Sequence, residues 1–236
     1  MKKIIFISTL FFCSLSTFSQ SEKDFFEKAH AFFQQHVKDG EVAYAAIHKA
    51  PEALNELLGI AAAIKISKSE AAAYRAFWIN AYNLAVIKGV IDNYPLRSPL
   101  DVKGFFDKNT YTLSGKNITL NSIENEMLRA NFNDARIHFV LVCGAEGCPP
   151  IINKAYTPDN LESLLTSQTT KALNNPEFIK VTSKKVSLSE IFKWYREDFG
   201  KTDKEVLRFV NRFRKDTINS DLKITHYPYN WKLNKQ

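Results

Sequence analysis

Residues 76–87 read AFWINAYNLAVI, and nearly every position in this stretch is apolar. A helix that is apolar on all sides is buried on most of them. The stretch therefore predicts a central buried helix from about Ser69 to Ile91. Asn80 and Asn83 interrupt the apolar run and lie on the same face of that helix. Because a buried amide needs hydrogen-bond partners, these side chains either hold the main chain of a neighbouring loop or line a substrate pocket.

The sequence on both sides of this helix alternates between helical and β-rich patterns. It predicts helices over residues 21–37, from 52 onward, and over 121–131, 161–173, 189–199 and 203–214, with hairpins over 111–120 and 178–188. A strand is predicted over 136–143, and the aromatic tail 223–234 is predicted to be irregular. This mixture indicates an α+β fold with a buried central helix, a small antiparallel sheet and flanking helices.

The length and charge of the chain limit the possible architectures and partners. With 236 residues, 45% of them hydrophobic, the chain can bury one main core. We predict an N-terminal helical extension over 20–66, followed by an α+β domain over 67–236. The formal net charge is +7, but the lysines are scattered among acidic residues, so no nucleic-acid partner is expected.

The first nineteen residues have the pattern of a signal peptide. Lys2 and Lys3 precede an apolar run, Ile4–Leu15, and small residues follow it. We therefore expect an exported protein, periplasmic or extracellular. Cys13 follows the large side chain of Phe12, which argues against a lipoprotein. No later segment is apolar for long enough to predict a stable membrane span.

The candidate chemistry lies in residues 136–150, which read RIHFVLVCGAEGCPP. On an extended strand, His138 and Cys143 would point to opposite faces and lie about 16 Å apart. Gly144 and Gly147 can reverse the chain after the strand. Cys148 would then return beside His138, which makes Cys148 the better candidate for a thiolate partner of the imidazole.

A cysteine beside a histidine indicates nucleophilic catalysis. A nearby imidazolium stabilises the thiolate that attacks a carbonyl, and the imidazole returns a proton to the leaving amine. Glu124 is the nearest acidic candidate to orient the ring of His138. The main-chain amides around Gly147 and Cys148, or Asn80, are candidate donors to the oxyanion.

Three other interpretations of the cysteines remain open. Cys143 and Cys148 can form a structural disulfide, as is common in exported proteins. Together with His138 they can be metal ligands, although a fourth ligand is lacking and the Cys-x4-Cys spacing fits zinc sites only loosely. Both can also be small buried apolar residues. If the disulfide forms, the chain is instead a binding module for a ligand or a protein, with a pocket lined by Asn80 and aromatic side chains.

Several motifs in order resemble one family. They are FWINAYN (77–83), IENEMLR (123–129), RIHFVLVCGAEGCPP (136–150), AYT (155–157), IFKWYREDFG (191–200) and YNWKLN (229–234). Over about residues 70–234 the chain resembles the domain of unknown function 547 family. The resemblance implies a papain-like or transglutaminase-like core and a thiol-dependent hydrolase of amide bonds in a small peptide or thiol-peptide, such as glutathione.

The same resemblance carries over onto particular residues. Glu124, His138, Cys143 and Cys148 match motif positions of the family. For the proposed hydrolase we expect no cofactor and no metal. Many members have a histidine where this chain has Asn125.

The aromatic motifs nearer the C-terminus are predicted to be structural. Trp194, Tyr195 and Phe199 have helical spacing and are predicted to pack in the core. Asp198, beside them, is predicted to accept a hydrogen bond rather than to line the pocket.

Overall fold

The helices and strands largely follow the order that the sequence predicts. The structure is a computed structural model that describes residues 20–236. Its α-helices are α1 (Gln20–His36), α2 (Tyr44–Lys49), α3 (Glu52–Ala63), α4 (Ala71–Asp92), α5 (Leu120–Ser122), α6 (Leu161–Leu173), α7 (Ile191–Trp194), α8 (Arg196–Phe199) and α9 (Asp203–Asn211). Its strands are β1 (Val37–Lys38), β2 (Glu41–Val42), β3 (Thr110–Leu113), β4 (Lys116–Thr119), β5 (Ile179–Val181), β6 (Lys185–Ser189) and β7 (Lys223–Tyr227). Turns of 3-10 helix cover Pro99–Asp101 and Ala135–Phe139, and a π-helical segment covers Ile123–Arg129.

Helix α4 is the centre of the fold, as its apolar sequence predicts. Almost every side chain from Ala73 to Ile91 is buried. The ring of Phe25, on α1, lies 5.1 Å from that of Phe77, on α4. The predicted helical extension 20–66 therefore packs on the same hydrophobic core as the rest of the described chain.

The α+β class is confirmed, and the sheets are small. Among residues 20–236, β1–β2 and β3–β4 form antiparallel pairs, whereas β5–β6–β7 form a three-stranded sheet. In that sheet β6 and β7 run parallel, with Val186 opposite Ile224. The expected small antiparallel sheet is thus mixed. The prediction of an irregular tail was wrong for Lys223–Tyr227, because the parallel partner that orders this short run lies far away in the sequence.

The strand predicted over residues 136–143 does not form. Ala135–Phe139 is a 3-10 turn, which Asp134 caps by accepting a hydrogen bond from the main-chain N–H of Arg136 at 3.1 Å. The β-branched composition is outweighed by this cap and by the absence of a strand partner in the described chain. The argument that placed side chains on opposite faces of an extended strand therefore does not apply.

The sequence predicts a signal peptide and no later membrane span. The predicted signal peptide, residues 1–19, lies outside the described residues, as does Cys13. None of the helices within 20–236 combines the length and the apolar character that a membrane crossing requires.

Candidate functional site

One cavity gathers the candidate catalytic residues. It has a volume of about 280 Å³, and Cys148, His138, Glu124 and the second cysteine, Cys143, all line it. We call it the aromatic cavity, because rings make up much of its wall. Its lining residues are Tyr82, Phe106, Asn121, Glu124, His138, Leu141, Cys143, Cys148, Ile191, Trp194, Tyr195, Tyr229 and Trp231.

His138 is held between two carboxylates. Its side chain is only 2% exposed. Its Nε2 lies 2.7 Å from Oδ2 of Asp198, and its Nδ1 lies 3.4 Å from Oε1 of Glu124. The imidazole stacks on the ring of Tyr195, with the centroids 4.0 Å apart. Both ring nitrogens therefore face carboxylate oxygens rather than a sulfur.

This arrangement favours the protonated form of the imidazole. Burial alone would lower the pKa of His138, but the hydrogen bonds with Asp198 and Glu124 outweigh it and raise the pKa overall. Burial alone would raise the pKa of Asp198, but hydrogen bonds from His138 and Arg129 hold it well below its usual range. The pair is therefore an imidazolium beside a carboxylate at mildly acidic pH.

Glu124 reaches the cavity from the π-helical segment Ile123–Arg129. The segment follows the single helical turn α5, whose start is capped by Thr119, which accepts a hydrogen bond from the main-chain N–H of Ser122 at 3.1 Å. The carboxylate of Glu124 is only 11% exposed. The sequence predicts an ordinary helix here, whereas the wider π turn is a geometry that often occurs at functional sites.

Asp198 is the partner of His138 that the sequence did not single out. Arg129 donates to it from Nε at 2.6 Å and from Nη2 at 2.8 Å, so the predicted hydrogen bond is confirmed. Asn125, which replaces the common family histidine, does not line the aromatic cavity. Its Oδ1 accepts a hydrogen bond from Arg129, and its Nδ2 donates to the carbonyl and to Oδ1 of Asn121, each at 2.9 Å. Asn125 therefore contacts the site through Arg129 and through Asn121, which lines the cavity.

Cys143 and Cys148 form a disulfide in the wall of the cavity. Their Cα atoms lie 6.4 Å apart, within the usual range for a disulfide. The Sγ of Cys148 accepts hydrogen bonds from the main-chain N–H of Cys143 and from the hydroxyl of Tyr229, each at 3.0 Å. That hydroxyl also lies 3.3 Å from the Sγ of Cys143. Of the interpretations that the sequence left open for the two cysteines, the structure contains the disulfide.

Residues 230–234 brace the loop between the two cysteines. The main-chain N–H of Asn234 donates to the carbonyl of Gly144 at 3.0 Å. Gly144 has a φ of +84°, a backbone conformation that residues other than glycine adopt only with strain. This pairing carries Tyr229 and Trp231 to the cavity.

Asn80 and Asn83 hold main chain rather than line the pocket. Asn80 donates to the carbonyl of Tyr156 at 2.7 Å and accepts from its N–H at 3.0 Å. Asn83 donates to the carbonyl of Val140 at 3.0 Å and accepts from the N–H of Val142 at 2.9 Å. Both amides therefore hold the main chain of neighbouring segments, and neither lines the cavity.

The main-chain amides proposed as oxyanion donors are also occupied. The N–H of Gly147 donates to the carbonyl of Asn230 at 2.8 Å, and that of Cys148 donates to the carbonyl of Ala145 at 3.1 Å. Gly147 allows this close approach, because a Cβ there would lie 2.9 Å from the nitrogen of Asn230. The expected oxyanion role of Gly147 is therefore corrected to a role in packing the loop.

The aromatic wall contains residues that the sequence assigned to the core. Phe199 is buried as predicted, but Trp194 is 44% exposed. The ring of Trp194 lies 4.9 Å from that of Tyr229 and 5.8 Å from that of Trp231. Helical spacing could not distinguish Trp194 from a core residue, because its surroundings come from the tail 223–234.

The sequence also left open a metal site formed by His138 and the two cysteines. Within residues 20–236, no group of three or more histidine, cysteine and acidic side chains is arranged to hold a metal ion.

Comparison with known proteins gives a match to a family model. Neither curated proteins nor solved structures match the chain significantly. Residues 66–173 match a family model described as a protein of unknown function, DUF547. The matched segment contains Glu124, His138 and both cysteines of the cavity. Residues 66–173 are therefore similar to the DUF547 family, in agreement with the sequence motifs that lie within them.

Proposed function

We propose that this chain binds a small organic molecule in the aromatic cavity, whose wall is shaped by the Cys143–Cys148 disulfide. The observation that carries the proposal is the cavity itself, in which aromatic rings, the carboxylate of Glu124 and the disulfide face one space of about 280 Å³. Small-molecule sites are typically concave and largely apolar, with a few converging polar groups. Trp194, which lines this cavity, is 44% exposed, so part of the aromatic wall is open to solvent.

The lining residues indicate what kind of ligand fits. Trp194, Tyr229 and Trp231 offer ring faces for an aromatic or alkyl body. Glu124 offers carboxylate oxygens to a donor group of the ligand. Because His138 is fully engaged by two carboxylates, it holds Glu124 in place rather than contacting the ligand.

Two features favour binding over thiol catalysis in the oxidised chain. The sulfur of Cys148 is bonded to Cys143, so it cannot attack a carbonyl. Both nitrogens of His138 face carboxylates, so neither faces the sulfur that a cysteine–histidine pair would require. The disulfide also supports the proposal of an exported protein, since disulfides persist in oxidising compartments.

Binding can be tested with a fragment library screened by saturation-transfer NMR against the oxidised protein. We expect aromatic fragments that carry an amine to bind and to quench tryptophan fluorescence. Trp194→Ala should weaken their binding about tenfold, since a lost aromatic contact costs on the order of 1 kcal/mol or more. Val181→Ala is the matched control, because Val181 is similarly exposed but does not line the cavity. Fragments that bind equally well to the Trp194→Ala variant would contradict the proposal.

A second candidate is the thiol-dependent hydrolase of amide bonds in a small peptide. It is favoured by the convergence of Cys148, His138 and Glu124 on one cavity. In the reduced chain, Cys148 would attack the amide carbonyl once His138 exchanges Glu124 for the sulfur. The proton on the imidazole would then pass to the leaving amine, and water would release the acyl group. The papain-like core that the family resemblance implies stays a prediction that belongs to this candidate.

The hydrolase candidate has its own test. The reduced protein is incubated with glutathione and short peptides, and released amines are measured. Cys148→Ser should abolish release, whereas Cys143→Ser should retain it, because only one sulfur is the nucleophile. If neither the reduced protein nor Cys143→Ser releases amine, while fragments still bind, the binding function alone remains.

A further inference from the structure

The disulfide has features that a purely structural bridge does not need. Both of its cysteines line the aromatic cavity, so a small molecule in the cavity lies beside the bridge. The two sulfurs also differ in their surroundings. Cys148 is buried, whereas Cys143 is partly exposed.

The hydrogen-bond donors are distributed unequally as well. The sulfur of Cys148 accepts from the N–H of Cys143 and from the hydroxyl of Tyr229, each at 3.0 Å, whereas the sulfur of Cys143 has only the more distant contact with that hydroxyl, at 3.3 Å. Burial raises the pKa of Tyr229, so its phenol stays protonated and remains a donor. Hydrogen bonds to a charged group are stronger than those to a neutral one. These two donors would therefore stabilise a thiolate on Cys148 more than they stabilise the disulfide.

From this asymmetry we infer that the chain carries out thiol–disulfide exchange with a low-molecular-weight thiol that enters the aromatic cavity, with Cys143 as the sulfur attacked and Cys148 as the leaving thiolate. This activity goes beyond ligand binding and uses the same cavity as its entrance.

The steps balance in atoms and electrons. The thiolate of the small thiol attacks the sulfur of Cys143, and the electron pair of the broken bond passes to the sulfur of Cys148. A mixed disulfide then joins the small thiol to Cys143. A second small thiolate attacks the outer sulfur of that mixed disulfide and releases Cys143. Two small thiols are oxidised to one disulfide, the protein disulfide is reduced, and the two protons of the small thiols pass to the two cysteines.

The test uses 2-mercaptoethanol and the oxidised protein. The reaction is quenched with acid, and the protein is cleaved after Glu146, which lies between the two cysteines and separates them onto different peptides. Mass spectrometry should find the mixed disulfide on the peptide that contains Cys143. An adduct mainly on Cys148, or a disulfide that resists the thiol until the protein unfolds, would overturn the inference.

The role of Tyr229 gives a second, quantitative test. Tyr229→Phe removes the hydroxyl and keeps the ring, so the equilibrium constant for reduction should fall about tenfold or more. Tyr227→Phe is the matched control, because the hydroxyl of Tyr227 donates to the carbonyl of Phe178 and does not contact the sulfurs. Equal reduction constants in the two variants would count against the inference.

Single-cysteine variants keep the inference testable if Tyr229→Phe fails to fold. The thiolate absorbance of Cys143→Ser, which retains Cys148, should titrate below the ordinary cysteine range, whereas that of Cys148→Ser should not. The reverse order would refute the assignment of the leaving sulfur. Fragment binding to the oxidised protein is measured separately, so a failure of exchange and a failure of binding are distinguishable.

Discussion

The interaction between His138 and Asp198 provides the most informative stability measurement. Asp198→Asn removes the negative charge from a group that accepts two hydrogen bonds from Arg129 and pairs with His138 at 2.7 Å. The side chain of His138 is 2% exposed and that of Asp198 is 23% exposed, so water replaces the lost partner only on one side. Breaking a buried ion pair costs about 3–5 kcal/mol, and partial exposure reduces this to about 2–3 kcal/mol.

The pH dependence of this loss follows from the two pKa shifts. The pKa of His138 is raised in the folded state, so its contribution is present below about pH 6.5 and is lost as the pH rises through the folded value. The pKa of Asp198 is lowered, so its contribution is present above about pH 4 and is lost as the pH falls through the folded value. The loss of stability in Asp198→Asn should therefore be greatest between about pH 4 and pH 6.5 and smaller at about pH 9.

The assay is urea unfolding of the oxidised protein, followed by tryptophan fluorescence at about pH 6 and about pH 9. Asp221→Asn is the control, because Asp221 forms an exposed ion pair with Lys204 and should change the free energy of unfolding by less than about 0.5 kcal/mol. If Asp198→Asn costs the same at both pH values, or no more than the control, the proposed imidazolium–carboxylate pair is refuted.

Three further predictions concern the parts that hold the site. Asn83→Ala should lower the free energy of unfolding by about 2–3 kcal/mol in urea, because two buried main-chain groups lose their partner; the exposed Asn117→Ala should have little effect. Gly144→Ala should lower the melting temperature, because φ is +84° there. Gly59→Ala should raise it, because Gly59 lies within α3 and a Cβ added there would have no heavy atom within 4 Å. Thr202→Ala removes the capping box of α9 and should cost about 1 kcal/mol in the same urea assay.

Each of these predictions has a contradicting result. An unchanged urea midpoint for the Asn83 variant would mean that water replaces its hydrogen bonds. A lower melting temperature for the Gly59 variant than for the Gly144 variant would contradict the conformational argument. A Thr202 variant that unfolds like the unmodified protein would show that the cap contributes little.

The sequence predicted the elements whose pattern is local. Helix α6 has the predicted bounds, Leu161–Leu173, and the apolar run of α4 correctly indicated a buried centre. The predicted strand over 136–143 does not form, because Asp134 caps the segment and Asn83 donates one hydrogen bond to its main chain and accepts another from it. The apolar pattern within the segment could not predict these contacts, because Asn83 lies far away in the sequence.

The sequence predicted some residues of the candidate site and missed others. Glu124, His138 and the two cysteines were identified from residue type and the family motifs, and they do line one cavity. Asp198 was missed as a partner of His138, because it lies sixty residues further along the chain. Spacing could not decide between free thiols and a disulfide, because that choice depends on where the loop after Cys143 turns.

The pairing between residues 230–234 and the cysteine loop has a consequence for biosynthesis. Cys143 and Cys148 leave the ribosome well before Tyr229 and Asn234, so the sulfurs emerge without the side chains that later surround them. Any bridge formed at that time forms in an open loop, and the wall closes over it only when translation has passed residue 234. A tag or a truncation placed there would therefore disturb the cavity even though the cysteines themselves are intact.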